Sequence, residues 1–172
     1  VHYPDLFADD PEWNRRARAL SAKTFELTTF LSDVMKIDPD SLDAEYDGTA
    51  TYHDACAGLR ELGIKDQPRE LLAAVEDLDL EEMADTEACC GFGGTFCVKY
   101  GEISTDIVSR KTANVVKTGA DLLLAGDLGC LMNIAGRLKR EGSSVQVRHV
   151  AEVLAGMTED TPPIGESFED EG

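Results

Sequence analysis

Basic side chains are scarce in this sequence: 16 Lys and Arg stand against 34 Asp and Glu over 172 residues, a formal charge of −18. A surface of that sign repels phosphate backbones and anionic lipid, which excludes nucleic acid and anionic membrane as first expectations. Cysteine is too sparse for a disulfide-pinned scaffold. There are five, an odd number with Cys89 and Cys90 adjacent, a pattern suited to thiolate chemistry in a reducing cytosol. No apolar run approaches the roughly 20 residues a membrane helix needs. The opening VHYPDLFADD lacks the basic and apolar regions of a signal peptide. The expectation is therefore a soluble, cytoplasmic protein with no membrane span. The zinc knuckle C-x-x-C is missing too, and GFGGTF lacks the final glycine of a dinucleotide loop. No repeat of short period is present.

What is there suffices for a single domain, since 42% of the residues are hydrophobic and can bury a core. The stretch 158–172 (TEDTPPIGESFEDEG) has six acids, no base and two prolines, and is expected to be a disordered acidic tail. Without it, 28 acids still face 16 bases, so the excess belongs to the whole surface. Eight acids and no base lie between Glu70 and Val98, running into Cys89. Such a run is ordinarily a solvated face.

Asp10, Pro11 and Glu12 form a helix start. Trp13, Ala17, Leu20, Leu27, Leu31 and Val34 then recur at helical steps, predicting one long amphipathic helix that ends before Pro39. Beyond the turn at Asp47 and Gly48, strands are expected at 49–52, 78–83, 121–125 and 145–147. Helices are expected at 57–62, 68–75, 102–117, 131–140 and 150–155. That alternation predicts an α/β fold with a mostly parallel sheet, right-handed crossovers and helices on both faces, preceded by the long helix.

Cys56 follows the first strand, Cys89 and Cys90 the second, and Cys130 the third. In a parallel sheet those loops emerge at one C-terminal edge, so cysteines distant in sequence can meet there. Three of the four adjoin helix N-termini, which favour thiolate, and Gly91, Gly93, Gly94 and Gly129 let the backbone wrap closely. Four such thiolates can hold zinc or an iron–sulfur cluster, or perform dithiol redox chemistry. Adjacent cysteines strain a mononuclear site and suit a multinuclear cluster.

The segments YHDACAGLRELG (from Tyr52), CCGFGGTFCVKYGEIS (from Cys89) and GDLGCLMNIAGRL (from Gly126) resemble the second CCG cysteine-rich domain of the lactate-utilisation protein A family. More distantly they are similar to the CCG domains found in the cysteine-rich subunits of heterodisulfide reductase and of anaerobic glycerol-3-phosphate dehydrogenase. The resemblance runs from about Val1 to Met157 and divides the chain into a connecting helical segment (1–46), a CCG domain (47–157) and the tail (158–172). It implies a cytoplasmic iron–sulfur electron-transfer subunit of an oxidoreductase, working with two further subunits to oxidise L-lactate to pyruvate. It also implies a [4Fe-4S] cluster on Cys56, Cys89, Cys90 and Cys130. Zinc is the alternative metal, in an interaction domain, and heterodisulfide-type redox chemistry the alternative activity. The family's C-x-x-C begins at Cys130, but Asn133 occupies its second cysteine position, which leaves four thiolates rather than the five of a noncubane centre. Family members carry two CCG halves. With one half here and Val1 as the first residue, the expectation is a fragment whose partner is the missing first half.

The remaining candidates have plainer readings. Cys97 is expected to be a small buried hydrophobe, His53 a packed structural histidine and His149 a helix-start residue. Asp54 and Asp127 read as local caps and turn formers.

Overall fold

In the computed structural model, which describes residues 2–167, the apolar run Leu122–Ala125 forms one of the two inner strands of the sheet, and all four of its residues are buried. The strands are β1 (Glu45–Tyr52), β2 (Glu76–Leu80), β3 (Leu122–Ala125) and β4 (Gln146–His149), ordered β2-β1-β3-β4 with every pairing parallel. Register is set by pairs such as Ala50 with Leu122 and Leu123 with Val147. The helices are α1 (Tyr3–Leu6), α2 (Pro11–Ser21), α3 (Leu27–Thr29), α4 (Asp66–Leu72), α5 (Phe96–Lys99), α6 (Gly101–Thr118), α7 (Leu128–Arg140) and α8 (Val150–Leu154). Helical connections join successive parallel strands, as parallel pairing requires.

The two-residue period of β3 divides the core between the sheet faces. Leu123 and Ala125 join Val108 and Val115 of α6 and Leu131, Ile134 and Leu138 of α7 on one side. Leu122 and Leu124 join Leu71 and Leu72 of α4 and Val150, Val153 and Leu154 of α8 on the other. Both faces of β3 are thus covered, which is why it reads as a continuous apolar run instead of an alternating one.

Several segments differ from the sequence reading: the turn expected at Asp47 and Gly48 lies inside β1, and the helix expected at 57–62 is a π-helical turn, Gly58–Leu62. The expected long helix is interrupted. After α2 the chain turns, Thr24 Oγ1 donates to Leu20 O at 3.0 Å, and Glu26 starts α3 by accepting from the Thr29 amide at 3.1 Å. A π-helical turn, Phe30–Met35, follows and closes with Lys36 in the left-handed region. Residues 158–167, expected to be disordered, return to the domain. Ile164 N donates to Val147 O at 2.8 Å, Arg148 donates to Thr161 O at 2.9 Å and Lys139 Nζ to Gly165 O at 2.8 Å. Ile164 packs against the α6/α7 core, so one apolar residue anchors an otherwise acidic stretch. Residues 168–172 of that expected tail lie outside the described residues. Among the described residues no helix is long and apolar enough to cross a membrane.

Candidate metal centre

β1 connects to β2 on one side, while β3 connects to β4 on the other, so the strand order reverses between β1 and β3. The C-terminal edge at such a reversal opens a crevice because the adjoining loops diverge. His53 follows β1 directly, and its amide donates to Leu124 O at 2.8 Å, continuing the pairing with β3. Cys130 lies in the first turn of α7, where Asp127, the N-cap, accepts from the Cys130 amide at 2.8 Å. The long loop after β2 delivers Cys90 from the opposite side.

That loop is clamped from three helical positions. Lys111 Nζ donates to Asp85 O and Thr86 O at 2.6 and 3.1 Å. Ser104 Oγ donates to Gly91 O at 2.7 Å, and Asn133 Nδ2 to Cys90 O at 2.8 Å. Asn133, at the position of the absent second cysteine, therefore holds the backbone of a cysteine instead of offering a thiol. Gly91 has φ +82, and a Cβ there would come within 2.7 Å of Ser104 O. A side chain at this point would push the loop off α6.

The result is a buried group of His53, Cys90 and Cys130 whose ligand atoms lie within 4.8 Å of one another. The Cys90 and Cys130 sulfurs are 2.9 Å apart, at hydrogen-bonding distance. A hydrogen bond from Cys130 pulls the Cys90 thiol down to about 5 against the opposing effect of burial, with the Phe92 backbone reinforcing the shift. The same bond, together with burial, pushes Cys130 far up. Two thiols this close ionise once and then resist a second charge. His53 is only 1% exposed, and neither ring nitrogen has a hydrogen-bond partner. Buried polar atoms are ordinarily paired, so this orphaned imidazole beside two thiols is a vacant donor. Two thiols and an imidazole are metal-seeking ligands, and this donor set fits a thiolate-held centre.

Of the four cysteines expected together, the structure brings Cys90 and Cys130 into contact. Cys56 and Cys89 lie on the adjoining loops, exposed and outside that group. Cys97 is half-buried, its thiol donating to Gly94 O at 3.1 Å. His149 caps α8, accepting from the Ala151 amide at 3.1 Å, as a helix-start residue does. Asp54, read as a turn former, is instead buried and held bidentately by Arg69 at 2.9 and 3.1 Å, and Arg69 also pairs with Glu82. Sequence reasoning passed over Arg69 and Lys111 and assigned His53 to packing. The signal for Lys111 was its spacing, since Val108, Lys111 and Val115 lie on one face of α6.

A parallel α/β sheet with ionisable thiols gathered where its strand order reverses is a cysteine-centred metal or redox domain. The chain belongs to the CCG cysteine-rich domain family, which matches residues 50–135. It is 47% identical over 154 residues to lactate utilization protein A of Shouchella clausii, covering 90% of this chain and 64% of the relative. The same-named protein of Bacillus cytotoxicus is 47% identical over 88% of this chain and 63% of its own length, and that of Oceanobacillus iheyensis 45% over 88% and 62%. The chain thus spans just under two thirds of the length of these relatives.

Proposed function

We propose that this sheet edge holds an iron–sulfur cluster and that the chain is an electron-transfer part of an oxidoreductase. The observation that carries the reading is the buried convergence of Cys90, Cys130 and the unpartnered His53 at the strand reversal. Cys90 and Cys130 are the inner ligands. Cys56 and Cys89, on the adjoining loops, complete a four-thiolate set of the kind a [4Fe-4S] cluster takes. The cluster would supply one-electron transfer, while the chain fixes its orientation and electrostatics. The similarity to lactate utilization protein A supports lactate as the system served. The reaction is the oxidation of L-lactate to pyruvate in the cytoplasm, with the first CCG half and two further subunits as partners. Nothing in the described site resembles a flavin or nicotinamide pocket, so the chain alone is expected to give no turnover.

Zinc is the second reading, favoured by the compact two-cysteine, one-histidine group and by zinc's affinity for that ligand type. Iron, acid-labile sulfide and zinc analysis of anoxically prepared full-length protein decides between them. Iron with matching sulfide supports the cluster. Stoichiometric zinc without sulfide replaces it with a zinc-bound interaction domain, and neither metal defeats both.

A further inference from the structure

Lys111 is the largest side chain sealed from solvent among the described residues, 1% exposed. It occupies the inward face of α6, where Val108 and Val115 lie one turn away on either side and the helical period calls for an apolar residue. A buried ammonium loses several kcal/mol of hydration, on the order of a whole domain's margin, unless other groups replace it. Here the replacements are backbone carbonyls: Nζ donates to Asp85 O at 2.6 Å and Thr86 O at 3.1 Å, with Met83 Sδ at 4.0 Å. Among the described residues, no carboxylate forms an ion pair with it. Burial pushes the Lys111 ammonium toward neutrality, and Asp85, Cys90, Asp54 and Cys130 hold it charged. A cation with no carboxylate partner of its own thus lies behind the loop that brings Cys90 to Cys130.

We propose that Lys111 is a positioning residue of the thiol centre, pinning the Asp85 and Thr86 carbonyls so that the loop presents Cys90 to Cys130, and offsetting the negative charge on sulfur from behind. The proposal rests on reading this edge as a thiolate centre, and it holds whichever metal the centre takes. The cation keeps the reduced, anionic sulfur stable relative to the neutral disulfide, as nearby positive charge does in dithiol proteins.

The test equilibrates the reduced, metal-free full chain with glutathione buffers and maps the Cys90–Cys130 bond by mass spectrometry. Each disulfide formed passes two electrons and two protons to one oxidised glutathione, releasing two glutathione thiols. Lys111→Met removes charge and pinning together, whereas Lys111→Gln keeps hydrogen-bond donors without charge. Lys111→Gln is expected to shift the equilibrium about tenfold toward disulfide, about 30 mV in midpoint, and Lys111→Met to shift it less, because the released loop also holds Cys90 less often beside Cys130. Val115→Ala, which loosens the same helix face without changing charge, is expected to leave the midpoint in place. A wild-type midpoint in folded Lys111→Gln, a Lys111→Met shift as large as that of Lys111→Gln, or an equal shift in Val115→Ala, overturns the proposal. If Lys111→Met does not fold, Lys111→Gln alone decides. Metal analysis of the wild-type chain is a separate arm, because its failure would remove the cluster reading and leave the Lys111 comparison intact.

Discussion

The 2.9 Å contact between the Cys90 and Cys130 sulfurs has consequences for stability as well as for ligation. An unfolded thiol ionises near pH 8.5, approximately, whereas Cys90 is lowered to about 5 by its bond from Cys130. A lowered value adds stability that is fully present above the unfolded value and fades as pH falls through about 5. The raised Cys130 works in the opposite sense at high pH, because the folded pair keeps a proton that the unfolded chain releases. The thiolate absorbance of the metal-free chain should therefore persist, at one thiolate, down to about pH 5. Cys130→Ala should return that ionisation to the ordinary range, and absorbance that vanishes below pH 8, roughly the ordinary thiol range, contradicts the lowering of Cys90 by its neighbour. The Asp54–Arg69 pair sits one residue beyond His53, with the Asp54 side chain 1% exposed. Arg69→Met strands that carboxylate, and urea denaturation should register a loss of about 3–5 kcal/mol. The exposed pair Lys65–Glu87, 2.7 Å apart, should matter little to stability by the same measurement, since water screens it.

At the scale of elements, α6 and α7 tie the site to the core. Leu131, next to Cys130 and fully buried, packs in the cluster that also contains Cys90 and Cys130. Leu131→Ala should cost about 2–5 kcal/mol in urea denaturation and lower metal retention, because the cavity opens beside the sulfur. A variant that keeps full stability would show that α7 is not packed as described. β3 was legible because its four apolar residues run without a break, and α6 because no proline or glycine interrupts it between Glu102 and Gly119. The same reasoning located the cysteines at one sheet edge. It did not determine which sulfurs meet, because that depends on the loop after β2, and its clamps from Ser104, Lys111 and Asn133 are long-range contacts with no local pattern. The break between α2 and α3 was hidden for the opposite reason. Apolar spacing continued through it, while the turn was decided by two short-range bonds from Thr24 and to Glu26.

Over the whole molecule, an excess of 18 negative charges bears on any electron the centre accepts. Negative charge near a cluster opposes reduction, and beyond about 8 Å at physiological salt it is largely screened. Glu87 is already paired with Lys65, whereas the Asp85 carboxylate has no described ion pair and its residue touches Lys111 through the backbone. Asp85→Asn should thus raise the midpoint potential of the loaded protein more than Glu87→Gln does. A redox titration showing no rise for Asp85→Asn would leave these acids as a solvated face.

We propose that Cys90 and Cys130 together build the centre, and iron content per chain tests this most directly. Anoxically prepared Cys90→Ser and Cys130→Ser should lose most of their iron, or change the paramagnetic spectrum of what remains. Cys97→Ala, whose thiol only meets a carbonyl, should keep the wild-type amount. Full iron with an unchanged spectrum in Cys130→Ser, or loss confined to Cys97→Ala, would contradict the account.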